Sequence, residues 1–327
     1  MARIKITQDS WELNKTFKIS RGSKSTAETI KIEISKNGNV GSGEGVPYSH
    51  YNENIESVIS QIENLRKGIE DHSINLENLN EHIEAGSARN AIDCAFWDLE
   101  CKTKNQNIWS LLNILQPISL PCSYTIVLDS VERMVSDAID HKEFPILKIK
   151  VNDQNLEAIV TKIRTEAPES KIIIDANEGF SIDTLKDNMD FFQKSKIDLI
   201  EQPLPPELDK QLIDFNSPIP ICADESFHTM EDFDKISNKY DAINIKLDKT
   251  GGLSEALVIA KEAKKKNKVV MLGCMVSTSL SMLPALTLYQ FADFIDLDGP
   301  CFLKKDRKNG IQFQNGTMKL NNKMCWG

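Results

Sequence analysis

Ile146-Leu147-Lys148-Ile149-Lys150-Val151 sets two lysines inside an otherwise apolar run. Residues two apart along a β-strand share a face, so Lys148 and Lys150 point to one side of one strand. Similar runs follow: Ile172-Ile173-Ile174-Asp175-Ala176-Asn177, Leu199-Ile200-Glu201-Gln202-Pro203, Ile221-Cys222-Ala223-Asp224-Glu225 and Ile243-Asn244-Ile245-Lys246-Leu247. Each ends its apolar stretch in a charged residue. Their starts lie roughly 20–28 residues apart, room for one strand and one helix per unit. Near-continuous apolar strands in such units form parallel sheets covered on both faces. Ser123–Val127, Val269–Cys274 and Phe294–Leu297 extend the series to about eight strands, which predicts a closed barrel rather than an open sheet.

Outside this series the character changes. Phe17–Ile19 and Thr29–Ser35 alternate as strands do, and Asn37-Gly38 supplies a turn before Gly41–Gly45. Asn54–Ile69 and Ser87–Lys102 then carry apolar residues at helical spacing. Strands followed by helices predict an α+β domain over residues 1–114. The barrel is expected over 115–303. The tail, 304–327, has turn signals at Asn309-Gly310 and Asn315-Gly316 and is expected to return to the first domain.

The chain has 327 residues and a formal net charge of −9. That length supports a large barrel with a companion domain. The acidic balance disfavours nucleic acid, whose phosphates need a basic surface. No apolar run approaches the roughly 20 residues of a membrane helix, and the start, MARIKITQDS, has no signal-peptide pattern. Seven scattered cysteines without a C-x-x-C pair read as free thiols in a reducing cytoplasm.

In a β/α barrel the catalytic groups stand at the C-terminal ends of the strands. Asp175, Glu201 and Asp224 then converge at equal height on three consecutive strands. Three carboxylates repel one another unless a cation lies between them, and an all-oxygen site with open positions suits Mg²⁺. Lys148 and Lys150 on the strand before are expected to lower each other's pKa, which makes a lysine a base near neutral pH. Lys246 comes from the wall nearly opposite Lys150. A carbon between them can lose its proton to one lysine and regain it from the other on the opposite face, as racemisation or epimerisation requires. The metal, as a Lewis acid, would stabilise an enediolate, with Lys148 facing an oxygen.

These ordered motifs resemble those of the enolase superfamily, muconate-lactonising subgroup. Gly43-Glu44-Gly45-Val46-Pro47, Ala88-Arg89-Asn90-Ala91-Ile92-Asp93 and Phe96-Trp97-Asp98-Leu99 resemble that family's capping domain. The resemblance covers nearly the whole chain. It implies an α/β fold, a modified (β/α)₇β TIM-like barrel closed by an N-terminal α+β cap. By carry-over it implies one Mg²⁺ per subunit on Asp175, Glu201 and Asp224, Lys150 and Lys246 as the acid/base pair, and Asn177 and Glu225 as supporting residues. A homo-oligomer is common among such proteins. Histidine plays no part in this pattern: His228 lies in a loop, and His50, His72, His82 and His141 match no motif.

The last strand reads Ile295-Asp296-Leu297-Asp298-Gly299-Pro300. Asp296 and Asp298 share a face and resemble the D-x-D pair with which dipeptide epimerases of the subgroup hold a substrate ammonium, a seat that charge-assisted hydrogen bonds make strong. Gly273-Cys274-Met275-Val276-Ser277-Thr278 resembles the pocket-lining segment of the seventh strand, which makes Met275 a contact residue. Arg21, in Ile19-Ser20-Arg21-Gly22-Ser23-Lys24, resembles the arginine that faces a glutamate side chain in acid-specific relatives, and Thr125 ends the first barrel strand. The expected activity is inversion of the C-terminal residue's α-carbon in a dipeptide, with L-Ala-D/L-Glu favoured. An o-succinylbenzoate synthase or cycloisomerase of the same superfamily is the alternative within the fold, and a non-catalytic ligand-binding barrel the alternative outside enzymology.

Overall fold

A computed structural model gives the fold; it describes residues 2–20, 22–320 and 323–327. The N-terminal unit opens with three antiparallel strands, β1 (Arg3–Ile19), β2 (Gly22–Lys36) and β3 (Asn39–Gly45), in the order β1-β2-β3. Helices α1 (Ile55–Asp71) and α2 (Ser87–Lys104) cover one face, and α3 (Ile108–Leu111) follows. Ile30, Ile32 and Ile34 of β2 alternate into a core with Val58 and Ile62 of α1 and Ala91 and Ala95 of α2. Glycine occupies every second position of β3 where α2 crosses it. A Cβ on Gly43 would stand 2.1 Å from the carbonyl oxygen of Ala91, and one on Gly41 equally close to that of Ala95. The bare strand lets helix and sheet backbones touch.

Strand β4 (Ser119–Pro121) leads into the barrel. Among the described residues, eight parallel strands run β5 (Ser123–Ile126), β6 (Ile146–Lys150), β7 (Lys171–Asp175), β8 (Leu199–Glu201), β9 (Ile221–Ala223), β10 (Ala242–Ile245), β11 (Val269–Leu272) and β12 (Phe294–Ile295), each hydrogen-bonded to the next in chain order. Helices α4 (Val131–Asp140), α5 (Leu156–Glu166), α6 (Ile182–Lys194), α7 (Phe233–Ile236), α8 (Leu247–Thr250), α9 (Leu253–Lys265) and α10 (Ser279–Leu286) fall between them, but a 3₁₀ turn at Asp209–Leu212 replaces a helix after β8. Ile146, Ile173, Leu199, Cys222, Ala242, Met271 and Phe294 form the barrel's apolar floor. Residues two and four further along each strand therefore fill the mouth, where the charges stand.

Between β12 and β5 the closure is made by side chains. The Ser123 hydroxyl donates to Asp296 Oδ1, and Thr125 N–H donates to Asp298 Oδ2 at 2.6 Å.

The tail forms a hairpin of β13 (Gln312–Gln314) and β14 (Thr317–Lys319) that turns at Asn315-Gly316 and pairs with β4. Beyond it, Trp326 Nε1 donates to Cys94 O on α2 at 2.9 Å. The cap is joined to the barrel more firmly through α2. Arg89 donates to the carbonyls of Thr250 and Gly251, Asn90 Nδ2 donates to Asp248 Oδ1 at 2.8 Å, and Ser254 N–H donates to Asp93 at 3.1 Å. Glu44 at the end of β3 accepts from Thr278 N–H, Ser281 and Arg307. Among the described residues, no helix is long and apolar enough to cross a membrane, and all seven cysteines are free.

Candidate active site

Strand register sets the heights of the charged residues. Lys150 lies opposite Asp175, Asp175 opposite Glu201, and Glu201 opposite Cys222. Asp175 and Glu201 are level, as expected. Asp224 stands two residues beyond Cys222, as Asp175 and Glu201 stand two beyond Ile173 and Leu199, so all three rise from the floor to one layer; the step in register between β8 and β9 is the stagger of a closed barrel. Lys246 follows the last residue of β10, which lies four strands from β6 and so on the opposite wall.

The lysines are buried among carboxylates. Lys148 Nζ lies 3.0 Å from Asp175 Oδ2, 2.7 Å from Glu201 Oε2 and 2.8 Å from Asp296 Oδ2. Lys150 Nζ donates to Asp175 Oδ2 at 2.6 Å and to Asn177 Oδ1 at 2.9 Å. Lys246 Nζ donates to Asp224 Oδ2 at 2.6 Å. Burial works to lower Lys148, but Asp175, Asp296 and Glu201 outweigh it and hold the ammonium well above its ordinary pKa. Lys246 is likewise raised against burial, by Asp224. The expected mutual lowering of Lys148 and Lys150 is thus overridden at Lys148, because the sequence spacing of the lysines does not register how closely the carboxylates gather round them.

The carboxylates split. Burial disfavours the charge of Asp175, yet Lys148 and Lys150 carry it well below the usual range; Lys246 and Lys249 do the same for Asp224. Glu201 goes the other way, pushed up by burial and by Asp175. Its Oε2, though near Lys148, makes no well-formed hydrogen bond.

A cavity of about 730 Å³ opens between barrel and cap. Lys148, Lys150, Asp224, Lys246, Asp296, Asp298, Thr125, Met275, Asn177 and Glu225 all line it. Asp175 and Glu201 lie beneath the lysines and are buried. Asp298 is raised by burial and by Asp296. Asn177 Nδ2 reaches Glu225 Oε1 at 3.4 Å, and the Asn177 carbonyl accepts from Ser20 of the cap at 3.0 Å. Arg21 lies outside the described residues. His228 lines a neighbouring cavity against Tyr51, where burial pushes it down to about 4.

Three residues here were passed over in the sequence. Lys24 of β2 lines the cavity, has no ion-pair partner among the described residues, and is lowered by burial. Its signal was its place three residues after Arg21. Lys249, fully buried on α8, donates to Asp224 Oδ1 at 2.6 Å. It follows the end of β10, so reading strand ends alone missed it. His50 lines the cavity without belonging to any motif; its Nε2 lies 3.1 Å from Glu178 Oε1.

A capped β/α barrel with opposed lysines around a carboxylate group at the strand ends is the frame of a barrel acid/base enzyme. Residues 1–113 match the model of the mandelate racemase / muconate lactonizing enzyme N-terminal domain, and residues 130–327 that of the enolase C-terminal domain-like family. The chain belongs to this mandelate racemase / muconate lactonizing branch of the enolase superfamily. Within it the chain is an isomerase, grouped with epimerases.

Among curated relatives, the L-Ala-D/L-Glu epimerase of Escherichia coli (strain K12) is 36% identical over 98% of this chain and 100% of its own. The N-acetyl-D-glutamate racemase of Pseudoalteromonas sp is 40% identical over 88% of this chain and 91% of its own. An enolase family member from Agrobacterium tumefaciens, solved with sodium and L-Ala-L-Glu, superimposes with a TM-score of 0.96 at 39% identity, covering 100% of both chains. The dipeptide epimerase of Enterococcus faecalis V583, solved with Mg and L-Leu-L-Tyr, gives 0.90 at 26% identity over 98% of this chain and 96% of its own.

Proposed function

We propose that this protein inverts the α-carbon of the C-terminal residue of a dipeptide, with L-Ala-D/L-Glu as favoured substrate. The placement of Lys150 and Lys246 on opposite walls of one cavity carries this reading. One lysine takes the α-proton and the other returns one to the opposite face. Lys148 presents an ammonium to the substrate carboxylate between them. Asp296 and Asp298 take the ammonium of the first residue, which desolvated carboxylates bind strongly. For the glutamate side chain, Lys24 supplies a cation with no ion-pair partner among the described residues, in the same cap segment as Arg21, and both are proposed for that role.

Asp175, Glu201 and Asp224 are the proposed ligands of one Mg²⁺. As they stand, no three His, Cys, Asp or Glu side chains among the described residues converge on a metal position. Lys148 instead puts its ammonium against Asp175 and Glu201, a cation at the place where the carboxylates gather. All-oxygen donors, and a Glu201 oxygen without a well-formed hydrogen bond, fit a hard divalent ion. Bound there, Mg²⁺ would polarise the substrate carboxylate and make the α-proton more acidic.

The free thiols fit a reducing compartment such as the cytoplasm. A second reading, racemisation of N-acylglutamate, is favoured by the Pseudoalteromonas relative and by the hydrogen bonds that already engage both aspartates. Proton NMR in D₂O decides between them. Wash-in of deuterium at the glutamate α-carbon of L-Ala-L-Glu, with L-Ala-D-Glu forming, is the expected result. Exchange of N-acetylglutamate alone would establish the second reading, and exchange of neither would sink both.

A further inference from the structure

Asp175, Glu201 and Asp224 share one arrangement. Each has one oxygen tied to the protein and the other turned to the lysines of the mouth. Asp175 Oδ1 accepts from Asn177 N–H at 2.9 Å, Glu201 Oε1 from Asn244 Nδ2 at 2.8 Å, and Asp224 Oδ1 from Lys249 Nζ at 2.6 Å. The first tie is backbone and comes with the turn after β7. The other two are side chains of one segment, β10 and the helical turn that follows it.

Lys249 is buried and, unlike Lys150 and Lys246, does not line the substrate cavity but reaches the neighbouring one beside His228. An ammonium has three hydrogens, and Lys249 spends all three behind the site: on Asp224 Oδ1, on Asp224 O at 2.6 Å and on Asn244 O at 3.0 Å. Asp224 N–H is in turn fixed by Gln202 Oε1 at 2.8 Å. The backbone and one oxygen of Asp224 are therefore held, and only Oδ2 faces the mouth. Stability alone is a poor reason for such a lysine, since an apolar side chain replacing a buried ion pair is often neutral or stabilising.

We propose that Lys249, together with Asn244, is a positioning residue for the cation seat. It fixes which oxygen of Asp224 is presented and keeps that carboxylate from turning both oxygens inward. Mg²⁺ demands near-ideal octahedral geometry, so three carboxylates offering one oxygen each suit it better than a carboxylate free to swing. This rests on the reading of Asp175, Glu201 and Asp224 as metal ligands.

Binding of Mn²⁺ to the full chain, followed by electron paramagnetic resonance and calorimetry with L-Ala-L-Glu present, tests it. Wild type binds Mn²⁺. Lys249→Met and Lys249→Gln keep their far-UV circular dichroism and bind it about 10- to 100-fold more weakly, as loss of a group that orients a ligand does elsewhere. Asn244→Ala weakens binding in the same direction. Affinities within twofold of wild type in folded Lys249 variants overturn the proposal. So does failure of both Lys249 variants to fold, which makes the lysine a structural counter-ion. Wild type that binds no Mn²⁺ overturns the ligand reading itself, a separate failure.

Discussion

The two lysine-bearing walls of the barrel use the same residue type in different ways. On β6, Lys148 and Lys150 are two apart on one pleat, and both reach the same oxygen of Asp175. On the β10 side, Lys246 and Lys249 are three apart, and a helical turn after the strand carries the second behind the first. They take different oxygens of Asp224. A strand sends alternate side chains to one place, whereas the step into a helix sends them to the front and back of one carboxylate. The β6 wall thus offers two ammonium groups to the cavity and the β10 wall one, with the other held in reserve as an anchor.

The largest expected effect breaks the pair itself. Lys150→Ala and Lys246→Ala should each abolish epimerisation, a loss of about 10²–10⁴-fold or more for removal of an acid/base group. Each should still exchange the α-proton of one epimer only, and the two variants of opposite epimers, when followed by NMR in D₂O from either isomer. Equal residual exchange of both epimers in one variant would mean that the walls do not divide the faces.

Asp296→Asn comes next. It removes a partner of Lys148 on the β6 side and one proposed seat of the ammonium. Its KM for L-Ala-L-Glu should rise by about 10–100-fold, a charge-assisted bond being worth about 1.5–3 kcal/mol, while Lys246 and Asp224 remain intact. An unchanged KM would leave that aspartate with a purely structural role.

The cation proposed for the substrate's side chain comes from neither wall but from the cap, where Lys24 lines the cavity. Lys24→Met should raise KM for L-Ala-L-Glu about tenfold and leave a dipeptide with an apolar second residue unaffected. Equal loss on both substrates would show a general packing role.

The smallest effect concerns the tie of the β10 side to the cap. Burial lifts Asp248 to about 7, with Glu53 and Glu44 adding to it. A carboxyl whose pKa is raised by folding stabilises the fold below its unfolded value, near 3.8, and that stability is lost as pH climbs toward 7. Asp248→Asn should therefore raise the melting temperature by about 1–2 °C at pH 8 per 1 kcal/mol recovered, and the gain should vanish near pH 4. A gain independent of pH would exclude this cause.

Much of the barrel was legible because its strands are short, apolar and end in charge. Ile172–Asp175 and Leu199–Glu201 declare both the fold and the height of the site in a few residues. The stagger of β9 against β8 was not legible, since it depends on how the barrel closes rather than on either strand's composition. Lys249 was hidden for a related reason: its role begins where the strand period ends and a helical turn takes over. Lys24 and His50 come from the cap, and only the packing of cap on barrel brings them to the cavity. The early part of β1, from Arg3 to Thr16, mixes polar residues on both faces and gives little pattern to read.

The seam between β12 and β5 has a consequence for how such a protein can change over generations. Asp296 and Asp298 close the barrel there by accepting from Ser123 and Thr125, and the same two residues line the cavity. A lineage that exchanges either aspartate to accept a different compound loosens its own barrel in the same step. Such lineages will acquire a compensating bond along β5 first and the new preference afterwards. Ser123, whose side chain is the donor, is where that history should be written, because Thr125 donates through its backbone whatever its side chain.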